Sequence, residues 1–185
     1  TWGGQFENSQ RATKRLMIIV PLTALLIFSL LFWAFRSVRL ATLVIGMVPF
    51  TLVGGLAALG MAGLHLSISA AVGFIAVAGI SVQNGVIMIE EIVKRVHNGA
   101  KASTAIIEGA AIRLRPILMT ALMAGLGLLP AAISQGIGSE TQRPFACVIV
   151  GGIVSGTIFT LLVLPVVAYL FGGFERNIDA DAPNE

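Results

Sequence analysis

Gln83 and Asn84 stand in the middle of an uncharged run, Ile68–Ile89, that otherwise reads as helix embedded in lipid. An amide in hydrocarbon without a hydrogen bond costs roughly 2–7 kcal/mol, so these two side chains need partners on other helices. Gln83 and Glu90 are seven residues apart, as are Asn84 and Glu91. Seven residues is close to two helical turns, so each pair shares a helix face. A polar stripe therefore runs from mid-span to the end of the run. Such a stripe serves either as a proton or ion path or as interhelical glue, with the glutamates solvated at the interface.

The other candidates are thinner. Arg113 and Arg115 precede Pro116 at the start of another uncharged run, and Thr120 lies one turn or more inside it. The arginines can anchor a helix by snorkelling to the interface or can reach a buried partner. Met119 and Met123 are four apart on one face, a pair that can bind soft ions but is more commonly packing. His65 and His97 have no Cys, His, Asp or Glu at ligand spacing, so no metal site is legible. Cys147, the single cysteine, reads as a small apolar packing residue. There is no Walker-type phosphate loop, HExxH or GxSxG, and no nucleophile–base pairing. The chain reads as a non-enzyme with no cofactor.

The elements that carry these residues follow from composition. Of the 185 residues 56% are hydrophobic and 11% are charged, and mean hydropathy is +0.92. A soluble chain carries about 25% charged residues. Five stretches of at least 20 residues lack Asp, Glu, Lys and Arg. Each is long enough to cross ~30 Å of hydrocarbon. The expected fold is an all-α membrane protein, a bundle of five transmembrane helices plus one cytoplasmic interfacial amphipathic helix. The spans are placed at 16–35, 40–64, 68–93, 116–137 and 144–171, within a bundle covering 16–174. Ala102, Ala105, Ile106, Gly109 and Ile112 recur at helical spacing, which places the interfacial helix at 100–114. Residues 1–15 are expected to close a periplasmic domain and lead into the membrane. The tail 175–185, rich in Asp, Asn and Pro, is expected to be cytoplasmic and disordered.

Charge sets the expected orientation. Arg36, Arg39, Lys94, Arg95, Lys101, Arg113, Arg115 and Arg176 share one side of such a bundle; Arg11, Lys14, Arg15 and Arg143 share the other. The positive-inside rule then places the N-terminus outside and the C-terminus in the cytoplasm. The net charge of +3 is a consequence of this asymmetry and not of nucleic-acid binding. Three of the four outer charges open the chain, which fits a translocated domain upstream of them. Gly54/Ala58 and Gly152/Gly156 are small-xxx-small pairs of the kind that bring helices close, although glycine is common in membrane helices anyway. Kinks are expected among Pro21, Pro49, Pro130 and Pro165.

Several of these segments resemble one known family. Gly4-Gln5-Phe6-Glu7-Asn8 with Arg11-Ala12, then Ser67–Gly85, Arg113–Thr120, Gly138–Pro144 and Val148–Gly152 match in order the second membrane half of CzcA/CusA-like heavy-metal efflux transporters of the resistance-nodulation-division (RND) superfamily. The resemblance covers roughly residues 2–172. It implies helices eight to twelve of a twelve-helix inner-membrane transporter of a Gram-negative bacterium. The first half, the seventh helix and the periplasmic domains would come from elsewhere in that protein. It implies a homotrimer, joined to a periplasmic adaptor and an outer-membrane channel, that exports metal cations in exchange for protons. Gln83, Asn84, Arg113 and Thr120 fall at positions tied to proton relay or coupling in the superfamily. Gln83 stands where relatives carry Lys or Glu, so it would partner acidic residues on the absent half and not titrate itself. The lack of Glu there favours a divalent-ion branch over a copper/silver one; the metal-binding residues would lie largely in the periplasmic region. Two rivals are a multidrug-type exporter of the same superfamily, which would carry Lys at position 83, and a truncated membrane module that transports nothing.

Overall fold

The computed structural model describes the backbone of residues 3–136 and 139–171, all in helices and short links. The expected tail at 175–185 lies outside the described residues. Helices dominate because long apolar runs in lipid must satisfy every backbone group internally. The elements are α1 Gly3–Phe35, α2 Val38–Ile45, α3 Val48–Met61, α4 Ile68–His97, α5 Ala102–Ile133 and α6 Ser139–Ile158, then a π-helical segment Phe159–Val163 and α7 Leu164–Phe171. Among the described residues, five helical stretches are long and apolar enough to cross a membrane: Met17–Phe35, Val38–Met61, Ile68–His97, Ala102–Ile133 and Ser139–Phe171.

The prolines explain where helices break. Pro49 cannot donate to the carbonyl four residues back, and its ring crowds that carbonyl. That residue is Ile45, where α2 ends. The second span is therefore two helices, α2 and α3, joined at Gly46-Met47. Pro165 lies one turn beyond Leu161, and the wider turn at Phe159–Val163 takes up the lost bond. Links are short: Arg36-Ser37 joins α1 to α2, with Arg36 at φ 48°. Gly99, at φ 89°, closes α4, and Ala100 N–H donates back to Arg95 O.

One boundary differs from expectation. Residues 100–114 do not form a separate interfacial helix; residues 102–114 are the first turns of α5, which continues unbroken through Pro116 to Ile133. The charges at Arg113 and Arg115 do not interrupt helical hydrogen bonding. α1 runs from Gly3, and its apolar stretch Met17–Phe35 matches the expected first span.

α6 is the central helix, packed against α3, α4 and α5. Its crossing with α3 depends on absent side chains. A Cβ on Gly151 would lie 2.3 Å from Ala58 Cβ and 2.7 Å from Gly54 O; a Cβ on Gly54 would lie 2.8 Å from Gly151 O. A Cβ on Gly152 would meet Val77 Cγ2 at 2.6 Å. So the Gly54/Ala58 pair and the Gly151-Gly152 pair permit the close approach expected of small residues.

The interior falls into layers. Toward the link between α3 and α4, Leu59, Ala70 and Val148 pack together, beside Val77, Ile149 and Ile153. Toward the other end, Leu40, Val44, Met88, Ile89, Ile92, Ile106, Leu164 and Ala168 belong to a larger cluster. Between the two lie Thr51, Ser81, Thr157 and Thr160, the buried polar residues among those described.

Candidate functional site

α4 is 30 residues long, about 45 Å at 1.5 Å per residue, and carries most of the candidate residues. It starts cleanly because the Ser67 hydroxyl accepts from Ala70 N–H at 3.2 Å, an N-cap that satisfies one orphan donor. Its two carboxylates then part company. Glu90 is exposed, whereas the Glu91 side chain is 17% exposed and holds two arginines. Arg95 Nε donates to Glu91 Oε1 at 3.2 Å, one turn along the same helix. Arg113 Nη2 donates to Glu91 Oε2 at 3.0 Å from α5. Arg95 Nη1 also pairs with Glu108 Oε2. Four charges thus cross-link α4 and α5, and charge-assisted bonds of this kind are stronger than neutral ones. Arg113 Nε is buried without a partner among the described residues.

The four expected relay residues are spread over this framework and not gathered. Gln83 is exposed, on a strip of α4 that also exposes Gly79, Glu90 and Lys94. A Cβ on Gly79 would meet nothing within 4 Å. This is the Gln83–Glu90 half of the stripe anticipated from seven-residue spacing, and no other described helix covers it; Asn84 and Glu91, the other half, are partly buried. Asn84 is half-buried and turned toward the hydroxyl layer, where it lines a narrow cavity with Thr51, Ser81 and Thr157. Arg113 is engaged by Glu91. Thr120 is exposed, its hydroxyl donating to Pro116 O on its own helix at 3.0 Å. Among the described residues no hydrogen bond or ion pair joins any two of the four. Two hydrogen bonds cross helices at the hydroxyl layer: Thr51 Oγ1 on α3 pairs with Ser81 Oγ on α4 at 2.8 Å, and Ser155 Oγ on α6 donates to Thr51 O at 3.4 Å.

Sequence reasoning missed two groups. The Glu91–Arg95 spacing of four was a visible signal, but the reach from Arg113 to Glu91 depends on how α5 packs. Ser81 and Asn84, three apart, share a face; Thr51 and Thr157 become their neighbours only through the helix crossings. The described residues contain no group of three or more His, Cys, Asp or Glu that could hold a metal ion. His65 and His97 are exposed, and Cys147 donates weakly to Ala132 O at 3.5 Å.

Apolar helices of spanning length, tied by an ion network at one end and by hydroxyls within, define a polytopic membrane domain. Comparison with known proteins specifies it further. The chain belongs to the AcrB/AcrD/AcrF family, an efflux-transporter family whose model matches residues 1–172. It is accordingly an integral inner-membrane protein. It is 53% identical over 164 residues to the nickel and cobalt resistance protein CnrA of Cupriavidus metallidurans, covering 89% of this chain and 15% of that one. It is 50% identical over 185 residues to the cobalt-zinc-cadmium resistance protein CzcA of the same organism, covering 100% of this chain and 17% of that one. Identity to the cation efflux system protein CusA of Escherichia coli is 38% over 175 residues, covering 89% and 17%. A crystal structure of a heavy metal efflux pump superposes with a TM-score of 0.82 at 46% identity, over 91% of this chain and 17% of that chain. The chain therefore spans about one sixth of the length of these relatives.

Proposed function

We propose that this chain forms helices eight to twelve of a proton-driven exporter of divalent heavy-metal cations. The observation that carries this is the 50% identity, along the whole chain, to a protein named for cobalt, zinc and cadmium resistance. The exposed Gly79–Gln83–Glu90 strip supports it: polar groups within a span need partners, and this strip is open to acidic residues from the other membrane half. In this reading Gln83 and Asn84 on α4 and Thr120 on α5 are partners of those acids. Protonation changes their hydrogen bonding, and α4 shifts as the bonds re-form. Arg113, held by Glu91, ties the motion of α5 to that of α4. In this reading the N-terminus is periplasmic and the C-terminus cytoplasmic, which the charge asymmetry supports. The working unit is a homotrimer with a periplasmic adaptor and an outer-membrane channel.

The test is made in the full-length transporter. Asn84→Leu should abolish metal resistance and metal-dependent proton flux in proteoliposomes while expression stays normal. Full resistance in that variant would end the relay assignment. Proton flux that ignores nickel, cobalt, zinc and cadmium in the unaltered protein would end the divalent-cation reading.

A further inference from the structure

The hydroxyl layer lines a narrow, partly open cavity of about 10 Å³ between α3, α4 and α6. That is about one probe sphere, the least room a water molecule needs. The walls include four polar side chains, Thr51, Ser81, Asn84 and Thr157, with Val77 and Ile153 closing the apolar side. Gly156 keeps the space open: a Cβ there would stand 3.1 Å from both Thr51 Oγ1 and Thr51 Cγ2.

Proton counting shows that the layer is incomplete as protein alone. Thr51 has one hydroxyl proton and two acceptors in reach, Met47 O at 3.1 Å and Ser81 Oγ at 2.8 Å. If the proton goes to Met47, Ser81 donates to Thr51 and the lone pairs of Ser81 are left over. If it goes to Ser81, the proton of Ser81 itself needs an acceptor. Either way Ser81, only 3% exposed, keeps an unused hydrogen-bonding valence facing the cavity side of α4. Ser81 is bonded to Thr51 already, so the spare valence is room for one more bond, and bulk water does not reach the hydrocarbon level of a bilayer to fill it.

We propose that this cavity is a binding site for a single water molecule, held by Ser81, Asn84 and Thr157. The water completes the valence of Ser81, gives the half-buried amide of Asn84 an inward partner, and joins α4 to α6, with α3 linked through the Thr51–Ser81 bond. Rotating α4 then requires breaking bonds to a trapped water, a smaller barrier than separating packed side chains. The site stands whether or not the transport reading holds.

X-ray radiolytic footprinting of the full chain in lipid nanodiscs tests it, because a bound water becomes a local source of hydroxyl radicals. Val77 and Ile153, 0% and 5% exposed, should be oxidised several-fold faster than Leu59, which is 2% exposed but off the cavity. Thr157→Val keeps the shape and removes a hydroxyl, so it should bring both rates down toward that of Leu59. Ser81→Ala should do the same and serves if the first variant does not fold. Rates for Val77 and Ile153 equal to that of Leu59 in the unaltered chain would show a dry cavity and overturn the proposal. Rates left unchanged by a folded variant would place the water elsewhere, with the same consequence.

Discussion

Replacing Gly151 with alanine tests the packing of the central helix. The added Cβ would sit 2.3 Å from Ala58 Cβ and 2.7 Å from Gly54 O. Carbon atoms in good contact are about 3.5–4.0 Å apart, so α3 and α6 must separate by more than an ångström. Neither obstacle is the end of a flexible side chain. Overpacking of this kind costs about 1–3 kcal/mol. Alanine recovers about 0.8–1 kcal/mol of helix propensity, which leaves a net loss of up to about 2 kcal/mol. Gly60 on α3 is the control, because a Cβ there meets nothing within 4 Å. Gly60→Ala should gain about 0.4–1 kcal/mol. The assay is SDS-driven unfolding from mixed micelles followed by circular dichroism. If Gly151→Ala moves the midpoint in the same direction as Gly60→Ala, the close α3–α6 crossing is wrong.

Three further substitutions separate local from cross-helix bonds in that assay. Glu91→Gln should cost about 1 kcal/mol, near the top of the range for partly exposed pairs, and more than Glu108→Gln, because Glu91 binds two arginines and Glu108, 54% exposed, binds one; the reverse order would mean Glu91 is not the hub. Thr51→Val should cost about 0.6 kcal/mol, the average for such bonds within membranes, by removing the link to Ser81; no measurable change would show that the link carries nothing. Thr120→Val should stay within about 0.5 kcal/mol of the unaltered chain, since that hydroxyl bonds only its own helix among the described residues; a larger loss would reveal a packing role for Thr120.

The spans were legible because lipid leaves little choice: twenty uncharged residues in a row must be helical and must cross. The break before Pro49 was half visible, since proline predicts a kink but not whether the helix restarts. The run from Ala102 to Ile133 was divided wrongly at the arginines. Charge marks where a helix leaves hydrocarbon, and α5 leaves it without ending. The candidate site was read one helix at a time. Gln83 and Glu90 share an exposed face because seven-residue spacing is a property of a single helix; that Asn84 and Glu91 turn to inner partners depends on the neighbours. Arg113 was read as an anchor or as reaching an unnamed buried partner, and that partner is Glu91, because which side chain meets which across two helices depends on their rotation. That is set by glycines such as Gly109, whose Cβ would lie 3.0 Å from Ile92 Cγ1. The hydroxyl layer escaped notice for the same reason: its members are scattered over more than a hundred residues and meet only in the folded bundle.

The π-helical segment at Phe159–Val163 divides the last span into two rods that are out of phase. Its i→i+5 bonds insert one residue more per turn than the α-helix on either side, so α7 faces α2 and α5 where α6 faced α3, α4 and α5. A spare residue of this kind can pass along a helix by exchanging one set of bonds for the next. The last span thus serves two sets of neighbours with one continuous helix, the change of phase falling at the π-helical turn.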